Sequence, residues 1–319
     1  MNLCPNCAAE VIPGAKFCHR CGDKIAEKPK LCPACHAPNP QVSVFCHDCG
    51  FHFEAKKQRH VAYQPTYPLD FDPETLTEQV KALFFKNMRT RVAEEHDLAK
   101  YSHYVDRFYH SRFKDIYEVR ANQIAEDALI QWERFGQNAL PDIDHRIEAA
   151  FDGLLDYFFI QFCPDLNAIR LPETILRHEH AKPGKTDLWA MVRDFLDFDD
   201  ELEVFHFDFV TMREDLLANA CKSFLTAERK ERVFFICDLS LKGTCKEGFA
   251  LTNRAIYWRQ LLDRPRRVAF DELRDIRKEK DWLTINGHFF TSNPALNLKL
   301  YKLLKKLRGW QEPIATVQV

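Results

Sequence analysis

Two Cys-x-x-Cys pairs open the sequence, Cys4-Pro5-Asn6-Cys7 and Cys18-His19-Arg20-Cys21. Both return 28 residues further on, counted from Cys4 to Cys32, as Cys32-Pro33-Ala34-Cys35 and Cys46-His47-Asp48-Cys49. The flanking residues repeat as well, because Phe17 and Gly22 correspond to Phe45 and Gly50. The first fifty residues are therefore an internal repeat of two short units.

This spacing predicts two structural zinc sites. Zn²⁺ prefers four thiolates at the corners of a tetrahedron, and two residues between cysteines let one tight turn present both sulfurs to one ion. A unit of about 20 residues buries too little surface to fold alone, so the metal would supply the folding energy. The predicted ligands are Cys4, Cys7, Cys18 and Cys21 in the first site and Cys32, Cys35, Cys46 and Cys49 in the second.

Redox thiols or an iron–sulfur cluster are the alternatives for these cysteines. His19 and His47 lie between ligands and would replace a cysteine only if one were missing, so we expect them to face solvent. Each glycine suits the positive φ that follows such a turn, and each phenylalanine is expected to cover its site.

The repeat resembles the short zinc-ribbon family and its tandem form, the double zinc ribbon, most closely in Cys-Pro-Asn-Cys and in Lys-Phe-Cys-His-Arg-Cys-Gly of the first unit. The family usually has glycine after the first pair also, where this chain has Ala8 and His36. That difference adds turn strain but removes no ligand. Closed four-thiolate sites leave no open position for a substrate, so such modules present a small rigid surface to protein or nucleic acid.

Composition indicates a folded, multidomain chain. It has 319 residues, 46% of them hydrophobic, and a formal net charge of −2, which excludes a globally basic nucleic-acid-binding protein. The most apolar window, residues 149–162, is too short to span a membrane and contains Asp152 and Asp156. With no secretory signal recognisable ahead of Cys4, we expect a cytoplasmic protein.

Residues 55–71 are predicted as a linker, with Lys56, Lys57 and Arg59 near its start. Asp72 and Pro73 then favour a helix start, and apolar residues recur at helical spacing in three long runs, over 76–92, 101–119 and 147–162. Shorter helices are expected around 188–196 and 212–225. We therefore predict an all-α region over 72–228, whose many aromatic residues serve helix packing rather than a ligand pocket.

From residue 229 to 310 the pattern indicates strands. Apolar runs at 233–238, 248–252, 255–258, 267–270, 282–285 and 288–290 predict an antiparallel meander, with Asn286-Gly287 as a hairpin turn. Asn293 and Pro294 then predict the start of a leucine-rich closing helix.

The stretch Gly248-Phe249-Ala250-Leu251-Thr252, continuing into Ile256-Tyr257-Trp258, resembles the hairpin of bacterial pleckstrin-homology-like (PH-like) domains. The resemblance implies a curved sheet plugged by the closing helix, and a binding module for protein partners or lipid headgroups with no catalytic residues. Basic residues are dense here, and Lys302, Lys305 and Lys306 share the helix face opposite the leucines. That face is a candidate surface for anionic lipid or nucleic acid, although interleaved acidic residues weaken it.

Other groups receive plainer interpretations. His178-Glu179-His180 lacks the four-residue spacing of two metal-binding histidines on one helix face, so a metal site there is the weaker hypothesis. The acidic run from Asp197 to Glu203 is interpreted as a solvated turn rather than a divalent-cation site. Four isolated cysteines, Cys163, Cys221, Cys237 and Cys245, are expected to be mostly inert core thiols.

The predicted fold class is multidomain α+β. Its parts are zinc ribbons at 1–27 and 28–54, the linker at 55–71, the helical domain at 72–228, the PH-like domain at 229–310 and a tail at 311–319. The leading functional hypothesis is a non-enzymatic bacterial adaptor that binds protein partners through the ribbons and the PH-like domain. Nucleic-acid binding through the ribbons and the adjacent Lys56, Lys57 and Arg59 is the alternative. Exposed aromatic surface on the helical region would equally fit self-assembly.

Overall fold

The computed structural model of the chain describes residues 4, 6–11, 17–23, 29–32, 35–40, 43, 45–49 and 63–310. The predicted tail at 311–319 and the basic residues Lys56, Lys57 and Arg59 lie outside these ranges. The chain divides into two compact units, residues 1–63 and 64–319. Among the residues described, none of the helices combines the length and apolar character that a membrane crossing requires.

The described residues of the first unit lie mostly in turns and in segments without regular secondary structure. One short antiparallel hairpin pairs β1 (Lys30–Leu31) with β2 (Pro38–Asn39), in the register Lys30 to Asn39 and Leu31 to Pro38. Its buried residues gather around the cysteines: Cys4, Val11 and Cys18 form one small cluster, and Cys32, Ala37 and Cys46 form another. Apolar clusters of this size contribute little folding energy, which agrees with the prediction that a metal organises the unit.

Four long helices begin the second unit: α1 (Leu76–Glu95), α2 (Tyr101–His110), α3 (Phe113–Phe135) and α4 (Leu140–Phe162). The structure confirms that their aromatic residues form a packed core. Phe84 lies edge-on to Phe151, and Phe113 lies 4.6 Å from Phe158 between ring centroids. The run predicted over 101–119 is two helices rather than one, because the helical conformation is interrupted at Ser111 and Arg112.

The range 64–71, predicted as part of a linker, is tied to this helical core. Tyr67 is buried against the helices, and the main-chain N–H groups of Thr66 and Tyr67 both donate to the carboxylate of Asp144. A buried carboxylate that accepts two main-chain hydrogen bonds fixes the segment in place, which a composition-based linker prediction does not anticipate.

Next along the chain come α5 (Leu188–Leu196), β3 (Val204–His206) and α6 (Glu214–Ser223). The side chain of Asp187 caps α5 by accepting from the N–H groups of Trp189 and Ala190. Both short helices agree with the sequence prediction. The strand β3 does not, because it lies inside the range predicted as all-α and pairs with the first strand of the C-terminal sheet. The three residues of β3 are too few to show a strand period.

The C-terminal strands form two antiparallel sheets. The larger sheet has the order β3, β4 (Val233–Asp238), β5 (Gly248–Thr252), β6 (Ala255–Arg259) and β7 (Arg266–Ala269). The smaller sheet has the order β8 (Ile276–Glu279), β9 (Trp282–Ile285) and β10 (His288–Phe290). Asn286 and Gly287 have φ of 49° and 77° between β9 and β10, as a two-residue hairpin requires. The strand β8 was not predicted, because its only apolar residue is Ile276.

The closing helix α7 (Pro294–Arg308) starts where predicted, with Pro294 in its first turn and the Asn293 side chain accepting from the N–H of Leu296. Its leucines join the core that also contains the sheets and α5. The lysine face considered as a candidate surface for anionic lipid or nucleic acid is not an exposed surface, and Lys306 on it is only half-exposed. Lys299 and Lys302 are both buried, and Lys305 is mostly buried.

An ionic cluster covers this polar face of α7. Three cations, Arg91, Lys302 and Lys305, share three carboxylates contributed by α1 and α4, namely Glu95, Asp152 and Asp156. The Lys302 Nζ lies 2.7 Å from Glu95 and 2.6 Å from Asp156, and Arg91 pairs with all three carboxylates. The ionic cluster thereby joins the helices α1 and α4 to α7 inside the second unit.

A second buried pair, Lys299 with Glu201 at 2.7 Å, sits nearer the start of α7. Glu201 and Glu203 also accept from the side chain of Asn293. The acidic run that ends in these residues is therefore not only a solvated turn, since its last two carboxylates hold the N-terminal end of α7.

Candidate metal centres

The cysteine loops repeat one main-chain pattern. In three of them the carbonyl of the first cysteine accepts from the N–H four residues later, at 2.9 Å for Cys4 and Ala8, 2.9 Å for Cys18 and Gly22, and 2.8 Å for Cys32 and His36. These cysteines also donate their own N–H five residues ahead, to Ala9, Asp23 and Ala37. The loop therefore folds back on its first cysteine and turns both sulfurs toward one point. The fourth loop contains Gly50, which lies outside the described residues.

The residue that closes each of these three loops has a left-handed conformation. Its φ is 53° at Ala8, 73° at Gly22 and 61° at His36. Glycine adopts this conformation without strain, whereas a residue with a Cβ does so at a cost of about 1 kcal/mol. The strain expected at Ala8 and His36 from the missing glycines is thus present, and the loops keep their shape in spite of it.

The structure brings the eight predicted cysteines into two groups of four sulfurs. Within each group all Sγ atoms lie within 4.8 Å of one another. The closest pairs are Cys4 with Cys21 at 3.6 Å and Cys7 with Cys18 at 3.6 Å, and in the second group Cys32 with Cys49 at 3.6 Å and Cys35 with Cys46 at 3.5 Å.

These distances fit a tetrahedral metal and exclude a disulfide. A Zn–S bond of about 2.3 Å gives sulfur–sulfur edges of about 3.8 Å in a regular tetrahedron. A disulfide would need about 2.05 Å. Both groups therefore match the donor set and size of a structural zinc site, with every corner filled by cysteine. Within the described residues, no other group of potential metal ligands converges in this way.

Hydrogen bonds prepare one sulfur in each group as a thiolate. The main-chain N–H groups of Cys21 and Arg20 lower the pKa of the Cys18 thiol to about 6. In the second group the main chain of Cys49 is the largest influence that lowers the pKa of Cys46 to about 6, and the side-chain amide of Asn39 contributes. Four thiolates at one point repel each other, so the remaining thiols require a bound cation to ionise together.

The residues between and beside the ligands face solvent. His19 and His47 are exposed, as predicted, and neither belongs to a sulfur group. Phe17 and Phe45 are each 59% exposed, so most of each side chain is in solvent rather than covering its site. The two units of the repeat thus present a phenylalanine at the same position of the motif.

The other candidate groups from the sequence do not form metal sites. His178 hydrogen-bonds to the carboxylate of Asp194 at 2.8 Å, and the exposed His180 lies 4.0 Å from the carboxylate of Glu179. Neither histidine belongs to a group of potential metal ligands among residues 63–310. Cys163, Cys237 and Cys245 are buried, and burial raises the pKa of Cys163 and Cys245 to about 12. Cys221 is exposed. Three of the four isolated thiols are therefore in the inert setting expected for them.

Comparison with known proteins agrees with this description of the first unit. Residues 4–50 match the family model described as "Double zinc ribbon". Neither a curated protein nor a solved structure is significantly similar to the chain. The match supports zinc binding by the ribbons and gives no named relative from which a partner could be inferred.

Proposed function

We propose that the chain is a non-enzymatic adaptor, in which two zinc ribbons bind a protein partner and the second unit carries a further binding module. The observation that carries the proposal is the closed form of both metal centres. Four cysteines fill each tetrahedron, so a bound zinc would have no open position to polarise a substrate or activate water. A metal held in this way organises a surface.

The exposed phenylalanines support protein binding. Phe17 and Phe45 stand at equivalent positions beside the two metal centres, and aromatic side chains are enriched at the centres of protein interfaces. The ribbons themselves carry no excess of positive charge, because residues 1–54 contain five lysine or arginine and five aspartate or glutamate residues. The nucleic-acid alternative therefore depends on Lys56, Lys57 and Arg59, which follow them. Nucleic-acid binding draws most of its affinity from an excess of positive charge.

The PH-like assignment of the C-terminal region remains part of this proposal. What supports it is the order of elements: four consecutive antiparallel strands, β4 to β7, then the three-stranded sheet β8 to β10, then a closing helix packed on both. The additional strand β3 extends the larger sheet at its β4 edge. An experimental structure tests the assignment, since a different strand order or a closing helix detached from the sheets would contradict it.

The metal is tested by native mass spectrometry of the full chain before and after acid release. Two zinc ions per chain are expected. A different metal, or fewer than two ions from protein purified without chelator, contradicts the zinc assignment.

The partner is tested with the double variant Phe17→Ser/Phe45→Ser and the matched control Phe135→Ser, which removes a phenylalanine 50% exposed in the second unit. Proteins enriched on the full-length chain are identified by quantitative mass spectrometry, and the strongest is purified and titrated against all three forms. We expect the double variant to lose that binding and the control to keep it.

Equal binding by all three forms would contradict a role for the ribbons. Saturable binding of a single-stranded or duplex DNA probe at low salt, lost on addition of salt, would instead favour the nucleic-acid alternative.

A further inference from the structure

A cavity of about 370 Å³ lies in the second unit, between α4, α7 and the segment from Ile175 to Lys182. Small-molecule sites in proteins begin at about 300 Å³, so the cavity is large enough for a small ligand. No sequence motif indicated it, because its walls come from five separate parts of the chain. Gly153 leaves room for the side chain of Glu179 at the cavity wall, since a Cβ at position 153 would lie 3.2 Å from the Glu179 Cγ.

Positive charge exceeds negative charge around the cavity. Three lining cations, Arg91, Lys302 and Lys305, belong to the ionic cluster and are matched by its three carboxylates. Two further lysines also line the cavity, and only one carboxylate outside the ionic cluster does so. The full set is Arg91, Lys182, Lys302, Lys305 and Lys306 against Asp152, Asp156 and Glu179.

Lys306 is the clearest source of this excess. Its Nζ donates to the main-chain carbonyl of Glu179 at 2.6 Å, and it forms no ion pair with a carboxylate of residues 63–310. Lys305 has a single carboxylate partner, Asp152 at 3.2 Å, and that oxygen also pairs with Arg91. Both ammonium groups therefore retain donors and positive charge that an anion in the cavity would satisfy.

The titration behaviour of these lysines agrees with the geometry. Burial, followed by the charges of Arg91 and Lys302, lowers the pKa of Lys305 to about 7. Burial also lowers the pKa of Lys306. When burial and neighbouring cations disfavour the protonated form of a lysine, an anion that binds beside it stabilises that protonated form.

Part of the remaining wall is apolar, and the polar part includes the histidines His145, His178 and His180. Leu176, Phe195 and Trp310 contribute side chains, and the Trp310 indole is oriented by its hydrogen bond to the carbonyl of Ala181 at 3.0 Å. A free inorganic anion would leave these side chains without a contact. A ligand with a charged end and an apolar body would use both parts of the wall.

We propose that this cavity binds a small organic anion, whose carboxylate or phosphate group pairs with Lys305 and Lys306. Its apolar body packs against Leu176, Phe195 and Trp310. The cavity shares no lining residue with the two cysteine groups, and the proposal requires no catalytic step, so the ligand acts as an effector or a cargo of the second unit.

The test uses the full chain and four probes: benzoate and phenyl phosphate as the two anions, benzyl alcohol as the uncharged analogue, and inorganic phosphate as the anion without a body. Binding is measured by calorimetry and by the change in tryptophan fluorescence. We expect saturable binding of benzoate or phenyl phosphate, and whichever binds more tightly identifies the charged group. Benzyl alcohol and inorganic phosphate are expected to bind at least roughly tenfold more weakly.

Three variants locate the binding. Lys306→Met removes an ammonium that has no carboxylate partner, and Ala149→Phe narrows the cavity from the exposed surface of α4 without touching a charge. Each is expected to weaken binding roughly tenfold or more. Lys242→Met removes an exposed lysine of the loop between β4 and β5 that does not line the cavity. It is the matched control and is expected to bind normally. Urea unfolding of each variant shows that it is folded.

Several outcomes would overturn the proposal. They are the absence of saturable binding by both organic anions, equal binding of benzyl alcohol or of inorganic phosphate, and unchanged affinity in folded Lys306→Met and Ala149→Phe proteins.

Discussion

The ionic cluster makes a quantitative prediction for the variant Lys302→Met. The Lys302 Nζ is 2.7 Å from Glu95 and 2.6 Å from Asp156, and its side chain is 3% exposed. Methionine retains most of the volume and removes the charge. Because Lys302 is one of the charges that lower the pKa of Lys305, its removal raises that pKa and keeps Lys305 charged. Three carboxylates then face two cations, Arg91 and Lys305, and one negative charge stays buried without a counter-ion. Breaking a buried pair in this way typically costs about 3–5 kcal/mol of stability.

Protonation of one carboxyl group limits how much stability the variant loses. In the native protein Glu95 is so buried that its pKa would rise, but Arg91 and Lys302 outweigh burial and lower it. In the variant the excess charge disappears if one carboxyl binds a proton. For a glutamate with an unfolded pKa of about 4.3, protonation at pH 7 costs about 3.7 kcal/mol. We therefore expect Lys302→Met to lose about 4 kcal/mol at pH 7.

The same argument fixes the pH dependence of the loss. The carboxyl that takes the proton has a folded pKa above its unfolded value, so the folded variant binds one proton more than the unfolded variant between these two values. Its stability relative to the native protein improves by about 1.4 kcal/mol for each unit that the pH falls, down to about pH 4.3. At pH 5 the difference from the native protein is expected to be about 1 kcal/mol.

Urea unfolding at 25 °C, followed by tryptophan fluorescence, measures these values, because all five tryptophans lie in residues 64–319. Two further variants serve as controls. Lys242→Met removes an exposed lysine and is expected to change stability by less than about 0.5 kcal/mol. Lys302→Met/Glu95→Gln restores equal numbers of buried cations and carboxylates, so most of the lost stability is expected to return. A loss below about 1 kcal/mol at pH 7, or a loss that is the same at pH 5, would refute the reasoning.

Three other perturbations test separate parts of the structure. Burial lowers the pKa of His96 to about 4, and its ring nitrogens lack hydrogen-bond partners in the part of the chain that the structure describes. The folded state therefore excludes a proton that the unfolded state binds below pH 6.5, and stability falls by about 2 kcal/mol from pH 6.5 to pH 5. His96→Phe keeps the contacts with neighbouring aromatic rings but cannot bind a proton. Urea titrations at both pH values should show no such fall in stability for this variant, and an unchanged fall would contradict the role given to His96. Ala8→Gly relieves the strain of a φ of 53° and should slow zinc release to a competing chelator by a factor of roughly five. Gly22→Ala introduces a Cβ at a φ of 73° and should speed zinc release by a similar factor. The opposite order of release rates would contradict the strain argument. Alkylation followed by mass spectrometry should find the eight ribbon cysteines protected while metal is bound and reactive after chelation. The buried Cys163, Cys237 and Cys245 should be protected in both cases. Ribbon cysteines that are equally reactive before and after chelation would contradict metal binding.

Most of the elements could be predicted from local pattern. The helices α4 to α7 and six of the eight C-terminal strands follow from residues that are neighbours in sequence: apolar periodicity, a capping asparagine before Pro294, and Asn286-Gly287 at a hairpin turn. The strands β3 and β8 were not predicted. One has only three residues and the other only one apolar residue, so both owe their conformation to pairing with a neighbouring strand.

By itself, the sequence determined the metal centres. Each ligand set is made by loops whose geometry depends on two-residue spacing and on a few local hydrogen bonds, so the cysteines and the position of each turn could be predicted without knowing the rest of the chain. What only the tertiary structure decided is the environment of the polar face of α7. Periodicity shows that Lys302 and Lys305 lie opposite the leucines, but not that carboxylates from α1 and α4 cover them. Burial and counter-charge depend on segments distant in sequence, which is why the sequence pattern could not show that this face forms an ionic cluster beside a cavity.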